Sequence, residues 1–451
     1  MARYPQSPLP IAVRTVDLSQ PLNAIRDVQA YTRVRLFVFL ADRLLGSVDI
    51  ANHGQPVSVS RLREAIADAL PVELIAGEER SGQGEQIHTR FASAVATHMF
   101  TAADTPAGLS PEVPVSVVVA THDRPEHLRN CIRYLLAQDS PRRVEIVVVD
   151  NHPASGLTPP VIAEFPGVVL VEEPRQGLAY ARNRGFIAAT GDIAVSTDDD
   201  VTMPPDWLEK LLVPFASSDV GAVTGNTLPL ELDAVSQNLF EVYGGLGRGF
   251  KPSEADLHWF RYFRRHAVPT WELGSTANAA FRSSLFHHPQ VGLMDEALGP
   301  GMPSGVGEDT YLFYKIIRAG FRLVYAPDAY VWHTHRREMS ALRHQIYNYS
   351  KGHVAYHLTT LLRDHDPRAL TRLLYSLPRS QLGRIKQRLL GRTVYPVSLV
   401  MLEMMGTLVG PWALWKSRRR VRREGRSGPY VPVSQRSATA VADSAGKADQ
   451  R

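Results

Sequence analysis

Residues 115–120 read VSVVVA and residues 144–149 read VEIVVV. Both runs are short, β-branched and apolar without alternation, which is the pattern of strands covered on both faces. Between them Pro125 opens a segment in which Leu128, Ile132, Leu135 and Leu136 recur on one helical face, and proline suits the first turn of a helix. The alternation continues with a strand at 168–171, an Ala-rich helix at 177–190, a strand at 193–197, a helix at 204–215 and a strand at 220–224. This spacing predicts an α/β fold: a doubly wound, mostly parallel sheet with helices on both faces. Ligands of such sheets sit at the carboxyl ends of the strands. That rule puts Thr121-His122-Asp123, Asp150-Asn151 and Asp198-Asp199-Asp200 on one rim.

Working outward, the 451 residues exceed one ordinary domain. With 44% hydrophobic and 21% charged residues the composition is globular, which excludes a wholly disordered, collagen-like or heptad-repeat chain. The single cysteine, Cys131, excludes an intramolecular disulfide and a Cys-based zinc site. The net charge of +5 is modest, and no nucleic-acid partner is expected. No apolar run behind a basic stretch opens the chain, so no signal peptide is expected. Residues 1–100 form a small α/β module: a loose leader over 1–20, two strands around a turn within 32–49, and a helix at 60–70 with Leu62, Ile66 and Leu70 on one face. Residues 101–114 have the Pro, Ala, Ser and Thr content of a linker. The sheet domain runs over 115–360, with a helix at 308–318, short strands at 322–325 and 330–333, and a longer helix from 338 to about 363.

A helical, basic and apolar region follows at 361–425, then a tail at 426–451 expected to be disordered. Residues 394–415 are long enough to span a bilayer, which takes about 20 apolar residues. Glu403, Pro396, Gly406, Gly410 and Pro411 interrupt them, however, which favours an interfacial or core helix. Trp412 and Trp415 beside KSRRRVRR suit a surface facing anionic lipid; the alternative is a core helix followed by a solvated basic tail.

Three adjacent carboxylates at 198–200 repel one another. At an effective dielectric near 20, two charges 4 Å apart cost about 4 kcal/mol. A divalent cation with hard oxygen ligands would compensate; a solvated acidic turn is the plainer reading.

The runs VSVVVATHDRPEHLRNCI, VEIVVVDN, GLAYARNRGF and GDIAVSTDDDVTMPPDWLEKLL, followed by GVGEDTYLFYKIIRAGFRLVYAP and AYVWHTHRR, resemble in order and spacing the family 2 glycosyltransferases of GT-A fold. The resemblance covers about 115–360. It implies a nucleotide-binding half at 115–225 and an acceptor half at 226–335. It implies a nucleotide-diphosphate sugar as donor, Mn²⁺ or Mg²⁺ as cofactor, and an acceptor glycan or glycolipid. Thr121, Asp123 and Arg124 would line the nucleotide pocket, and Asp150 would accept a hydrogen bond from the base. Arg182 and Asn183 would face the same rim, with Arg182 near the diphosphate. Asp198 and Asp200 match the D-x-D motif that holds the metal, with Asp199 orienting the sugar or ribose. Glu308-Asp309 matches the acidic pair opening the acceptor-side helix, and Asp309 is the candidate general base. His333 or His335 would be a further metal ligand. Trp271, Gly274 and Asn278 would border the acceptor, although Trp271 and Trp332 also suit a core. The motif THDR departs from the family, where Asn is frequent in place of Asp123.

The activity so implied is transfer of a sugar to an acceptor hydroxyl with inversion. A cation neutralises the departing diphosphate, a carboxylate takes the proton, and the Gly-rich 299–307 segment serves as a lid that keeps water out. A lipid-linked or cell-envelope acceptor and a place at the cytoplasmic face of the cell membrane follow if the C-terminal region meets lipid. A nucleotidyltransferase on a similar sheet and a non-catalytic nucleotide-sugar-binding scaffold are the alternatives. The former should carry a Gly/Arg/Lys-rich signature after the first strand, and THDRPEHL is not one.

Overall fold

The computed structural model describes residues 10–70 and 108–436; residues 71–100 of the expected N-terminal module and the first half of the expected linker, 101–107, lie outside the described residues. The N-terminal module is a three-stranded sheet of β1 (Ile11–Asp17), β2 (Arg33–Leu40) and β3 (Arg43–Ala51), with β1 parallel and β3 antiparallel to β2. Helix α1 (Val59–Ala69) starts at Ser58, whose hydroxyl accepts from Arg61 N, and buries Leu62 and Ile66 against the sheet. The expected loose leader is corrected over its second half. Ile11 and Ala12 are buried, and Ile11 also bridges to Leu232 of the larger domain, so the segment is held as a strand. Phe37, Phe39 and Leu44 pack against Leu228 and Tyr330, seating the module on the main sheet.

The main domain begins with β4 (Val115–Thr121), buried along its whole length. Val115, Val117 and Val119 face helix α2 (Pro125–Leu136) through Leu128, Cys131, Ile132 and Leu135. Next come β5 (Val144–Asp150), β6 (Val169–Glu172) and α3 (Leu178–Ala188). Val118 and Ala120 point to α3, against Ala179, Ala181 and Phe186. Helix α3 lies so close that a Cβ on Gly185 would fall 2.2 Å from Val118 Cγ1. Two covered faces are why the strand sequence does not alternate.

Strands β7 (Ile193–Asp198) and β8 (Val201–Thr202), helix α4 (Trp207–Leu212), β9 (Val220–Pro229), helix α5 (Val235–Tyr243), β10 (Ser253–Ala255) and β11 (Asn278–Arg282) follow. The chain then forms α6 (Glu308–Arg318), β12 (Arg322–His333) and α7 (Met339–Asp364). The sheet order is β10-β12-β9-β11-β7-β4-β5-β6, with β8 on β12. The block β7-β4-β5-β6 is parallel and β9 is parallel to β12, while β11 enters antiparallel to both β7 and β9. The two short strands expected at 322–325 and 330–333 are one strand, β12, with a register shift between Ala326 and Tyr330. Pro327, which has no N–H to give the ladder, lies inside that shift.

Helices α8 (Leu377–Leu389) and α9 (Val397–Glu424) complete the structure. Helix α9 lies along α7. Gly406 abuts Ser350 and the Tyr347 carbonyl, and Gly410 abuts Val354. Glu403, which interrupts the apolar run in sequence, is buried between Arg384 and Tyr395 and so does not meet solvent or lipid. One described helix, α9, is long and apolar enough to cross a membrane, and 39% of its most apolar window is buried inside the protein. The disorder expected from 426 onward is corrected through Arg436. Tyr430 is buried against Phe286, and Ser427 N donates to Glu296.

Candidate active site

Strand β7 delivers Asp198 to the carboxyl edge of the sheet, and the short pairing of β8 with β12 fixes what comes next. Thr202 lies opposite Trp332 and Val201 opposite His333. That register brings His333 Nε2 to 3.4 Å from Asp200 Oδ1. Asp198, Asp200 and His333 each offer a ligand atom within 4.8 Å of the others. Asp200 Oδ1 is buried and makes no hydrogen bond, and burial pushes the His333 imidazole below its ordinary pKa, toward the neutral form that can ligate. This donor set of two carboxylates and a neutral imidazole fits a divalent cation. His335 Nδ1 stands 3.0 Å from His333 Nδ1, and its Nε2 is 3.1 Å from Glu241 Oε1.

Asp199 is turned inward. It accepts from Thr121 Oγ1 at 2.8 Å and from Arg124 Nη1 at 3.1 Å, and Arg124 also reaches Asp200 Oδ2 at 2.8 Å. Burial pushes the Asp199 carboxyl up to about 7, against the pull of Arg124.

Arg182, on the almost fully buried α3, joins the triplet to the acidic pair. Its Nη2 donates to Asp198 Oδ1 at 2.6 Å and its Nη1 to Glu308 Oε1 at 3.0 Å. Glu308 also accepts from Gly307 N at 3.0 Å and is buried; burial, with Asp309 adjacent, pushes its carboxyl up to about 7. Asp309, half-buried at the start of α6, accepts from Thr310 N and Oγ1 and lines the same cleft.

That cleft, of about 1650 Å³, is lined by Thr121, Arg124, Arg182, Asp198, Asp199, Asp200, Trp271, Gly274, Glu308, Asp309, His333 and His335, so most of the residues singled out in sequence share one wall. Four do not line it. Asp150 is buried at the end of β5; one oxygen accepts from His152 N, while Oδ2 has no hydrogen bond. Asp123, at φ 55°, bonds His152 Nδ1 at 2.7 Å, in a second group of converging ligand atoms with His122. Asn183 Nδ2 holds the Met294 carbonyl and Glu296. Asn278 ties β11 to its neighbours through the Asn226 and Ala329 carbonyls and accepts from Trp207 Nε1.

The cleft also holds residues that no sequence motif marked. Arg248 comes from the irregular stretch after α5, and Arg372 from the π-helical segment Arg372–Ser376 that leads into α8; both line the cleft, as do Gln345, Asn348, Tyr349 and His353 of α7. Trp271 is covered on one face by the Arg372 guanidinium, 4.7 Å from the ring centroid. The 299–307 segment is wedged rather than free. Ser304 N donates to Ser417 Oγ on α9, and a Cβ on Gly305 would fall 2.2 Å from the Asn348 carbonyl.

An acid-lined cleft thus lies at the carboxyl edge of an α/β sheet, with Glu308 and Asp309 in the same lining as a metal-suited triad. Residues 116–271 match the family model Glycosyl transferase family 2, a match that supports a transferase. It is 26% identical over 223 residues to the succinoglycan biosynthesis protein ExoM of Rhizobium meliloti, covering 48% of this chain and 65% of that protein. It is 33% identical over 120 residues to the glucosyl-dolichyl phosphate glucuronosyltransferase of Haloferax volcanii, covering 26% of this chain and 38% of that protein. The chain thus spans less than two thirds of the length of either relative. A solved mannosyltransferase, PcManGT from Pyrobaculum calidifontis in complex with GDP-Man and Mn²⁺, superposes with a TM-score of 0.41 at 19% identity, over 74% of this chain and 82% of that one.

Proposed function

We propose that the chain transfers a sugar from a nucleoside-diphosphate donor to an acceptor hydroxyl, dependent on Mn²⁺ or Mg²⁺ and with inversion at the sugar. The observation that carries this reading is the convergence of Asp198, Asp200 and His333 on the same cleft as Glu308 and Asp309. Asp198, Asp200 and His333 would hold the cation, which when bound neutralises charge on the leaving diphosphate. Of the two histidines, His333 faces the carboxylates, and His335, backed by Glu241, orients it. Asp309 takes the acceptor proton. Glu308 is bonded to Arg182 and held too deeply to reach an acceptor, so it positions the helix start and Arg182. Thr121 and Arg124 hold Asp199 in place for the donor. Asn183 and Asn278 act as structural ties rather than as donor or acceptor contacts.

The outer face of α8 and α9 supports membrane contact. Leu382, Leu389, Met401, Met405, Leu408, Trp412 and Trp415 are exposed on it, with Leu408 at 80%. Lys416 caps Trp412 at 3.7 Å and Arg419 caps Trp415 at 5.6 Å, a pairing of indole and cation suited to anionic headgroups. The opposite face of α9 is packed on α7, so the helix lies on the membrane rather than crossing it. The acceptor is then a lipid-linked or cell-envelope glycan reached from the cytoplasmic face. The relative named for a dolichyl phosphate-linked substrate is consistent with this.

The test is a thermal-shift panel of nucleoside diphosphates and sugar nucleotides with and without Mn²⁺, followed by transfer assays on the responsive donor. A metal-dependent shift that disappears in Asp200→Asn supports the reading. A chain that binds no nucleoside diphosphate with either metal would sink it.

A further inference from the structure

Of the seven arginines lining the cleft, Arg336 is exposed and four are paired: Arg124 with Asp199 and Asp200, Arg182 with Asp198 and Glu308, Arg337 with Glu231, and Arg384 with Glu403. Arg248 and Arg372 are different. The Arg248 side chain donates only from Nη1, to the Gly245 and Gly247 carbonyls, and its buried Nε has no hydrogen bond. Arg372 donates from Nε to His353 Nε2 at 3.0 Å and stacks on Trp271. Neither makes an ion pair among the described residues. A partly buried guanidinium with no counter-charge is unfavourable unless something supplies one. Burial pushes both guanidinium groups below their ordinary pKa, and the field of Glu272, next to Trp271, reaches both without forming a pair.

Their position matters as much as their lack of partners. Arg372 bonds His353 of α7, Arg248 lies within the fields of Tyr349 of α7 and of Asp309, and both lie within the field of Glu272. His353, the neighbour of Arg372, is pushed down to about 3 by burial, so it is neutral and presents no competing charge. From Arg372 the cleft wall continues through Leu377, Gln381 and Thr407, residues at and between the two helices whose outer faces carry the exposed apolar side chains.

We propose that Arg248 and Arg372 form an anion subsite for the acceptor, so that the molecule glycosylated here carries a phosphate or carboxylate close to its accepting hydroxyl. This rests on the transferase reading above and names the acceptor class for it. An anion held there would place its neighbouring hydroxyl toward Asp309 while an attached lipid chain leaves along α8 and α9.

The test compares two matched pairs of probes on the full chain at low salt: farnesyl phosphate against farnesol, and octyl glucuronide against octyl glucoside. At least one anionic probe is expected to bind about tenfold or more tighter than its neutral partner. Preference for farnesyl phosphate identifies a lipid phosphate, and preference for the glucuronide an acidic sugar. Arg248→Gln and Arg372→Gln should each abolish the preference and leave the neutral probes unchanged, while Arg372→Lys should keep most of it and so report on charge rather than folding. Equal binding of charged and neutral probes, or a preference that survives both Gln variants, overturns the subsite. So does a loss of nucleoside-diphosphate binding in the Gln variants, because the guanidinium groups would then serve the donor. Nucleoside-diphosphate binding by the unaltered chain is scored separately: its absence defeats the transferase reading, and its presence without an anion preference defeats only the subsite.

Discussion

Arg182 holds Glu308 at 3.0 Å in the interior, 126 residues away in sequence, and with its other amino group grips Asp198 at 2.6 Å. One side chain of α3 thereby sets the distance between the acid triplet and the start of α6. These two parts of the cleft are linked through a single rigid fork, and Asp309, the next residue of α6, takes its place from that link.

Asp309→Asn is expected to lower transfer by about 10²–10⁴-fold while leaving nucleoside-diphosphate affinity unchanged, because it removes the proton acceptor and no donor contact. Single-turnover assays beside calorimetric binding would show it. An Asn variant that transfers at the normal rate returns the role of base to another group.

Glu308 gives the fold a pH dependence of known sign. Its carboxyl is pushed from an ordinary 4.5 to about 7 by burial and by Asp309. Between those values the folded chain keeps a proton that the unfolded chain has released. The contribution is therefore full below about 4.5 and is lost as pH rises through 7. In EDTA, Glu308→Gln should be free of this loss. The Tm of the variant relative to the unaltered chain should climb from pH 5 to pH 7.5. A constant difference would show that Glu308 does not titrate in this window.

Leu408→Glu, at a position 80% exposed, should leave the fold intact and weaken binding to vesicles of anionic phosphatidylglycerol by about tenfold or more. Flotation and circular dichroism read the two effects apart. Unchanged flotation in this variant and in Met405→Glu would remove the outer face of α9 from membrane contact.

The seat of α9 on α7 can be tested through two glycines. A Cβ at Gly410 would stand 2.6 Å from Val354 Cβ, whereas one at Gly383 in α8 meets nothing within 4 Å. Gly410→Ala should cost about 1–3 kcal/mol by overpacking. Gly383→Ala should stabilise by roughly 0.5–1 kcal/mol through helix propensity and a less flexible unfolded chain. Calorimetry of both variants decides it; a neutral Gly410→Ala would mean that α9 is free to leave α7.

Much of this was legible in the chain because it depends on local pattern. Strand β4 is apolar at each position that touches a helix, α6 begins and ends at the residues expected, and the acids stand at the strand end where a parallel sheet presents its ligands. What the local pattern missed has identifiable causes. Strand β1 was read as a leader because its pairing with β2 and its bridge to Leu232 are non-local. The strand β12 was read as two because Pro327 breaks its register without ending it. Asn183 and Asn278 looked like rim residues, yet their side chains are spent on distant carbonyls. Arg248 and Arg372 carry no motif and lie 124 positions apart, so only the folded cleft shows them on one wall.

The sequence by itself determined the α/β sheet and the standing of its acids at the strand ends, since hydrophobic period and carboxylate placement are short-range properties. Only the tertiary structure decided which charges are paired. Whether an arginine meets a carboxylate or is left open to a ligand depends on packing between remote elements, and it is that packing which separates Arg182, held by Asp198 and Glu308, from Arg248, held by no carboxylate among the described residues.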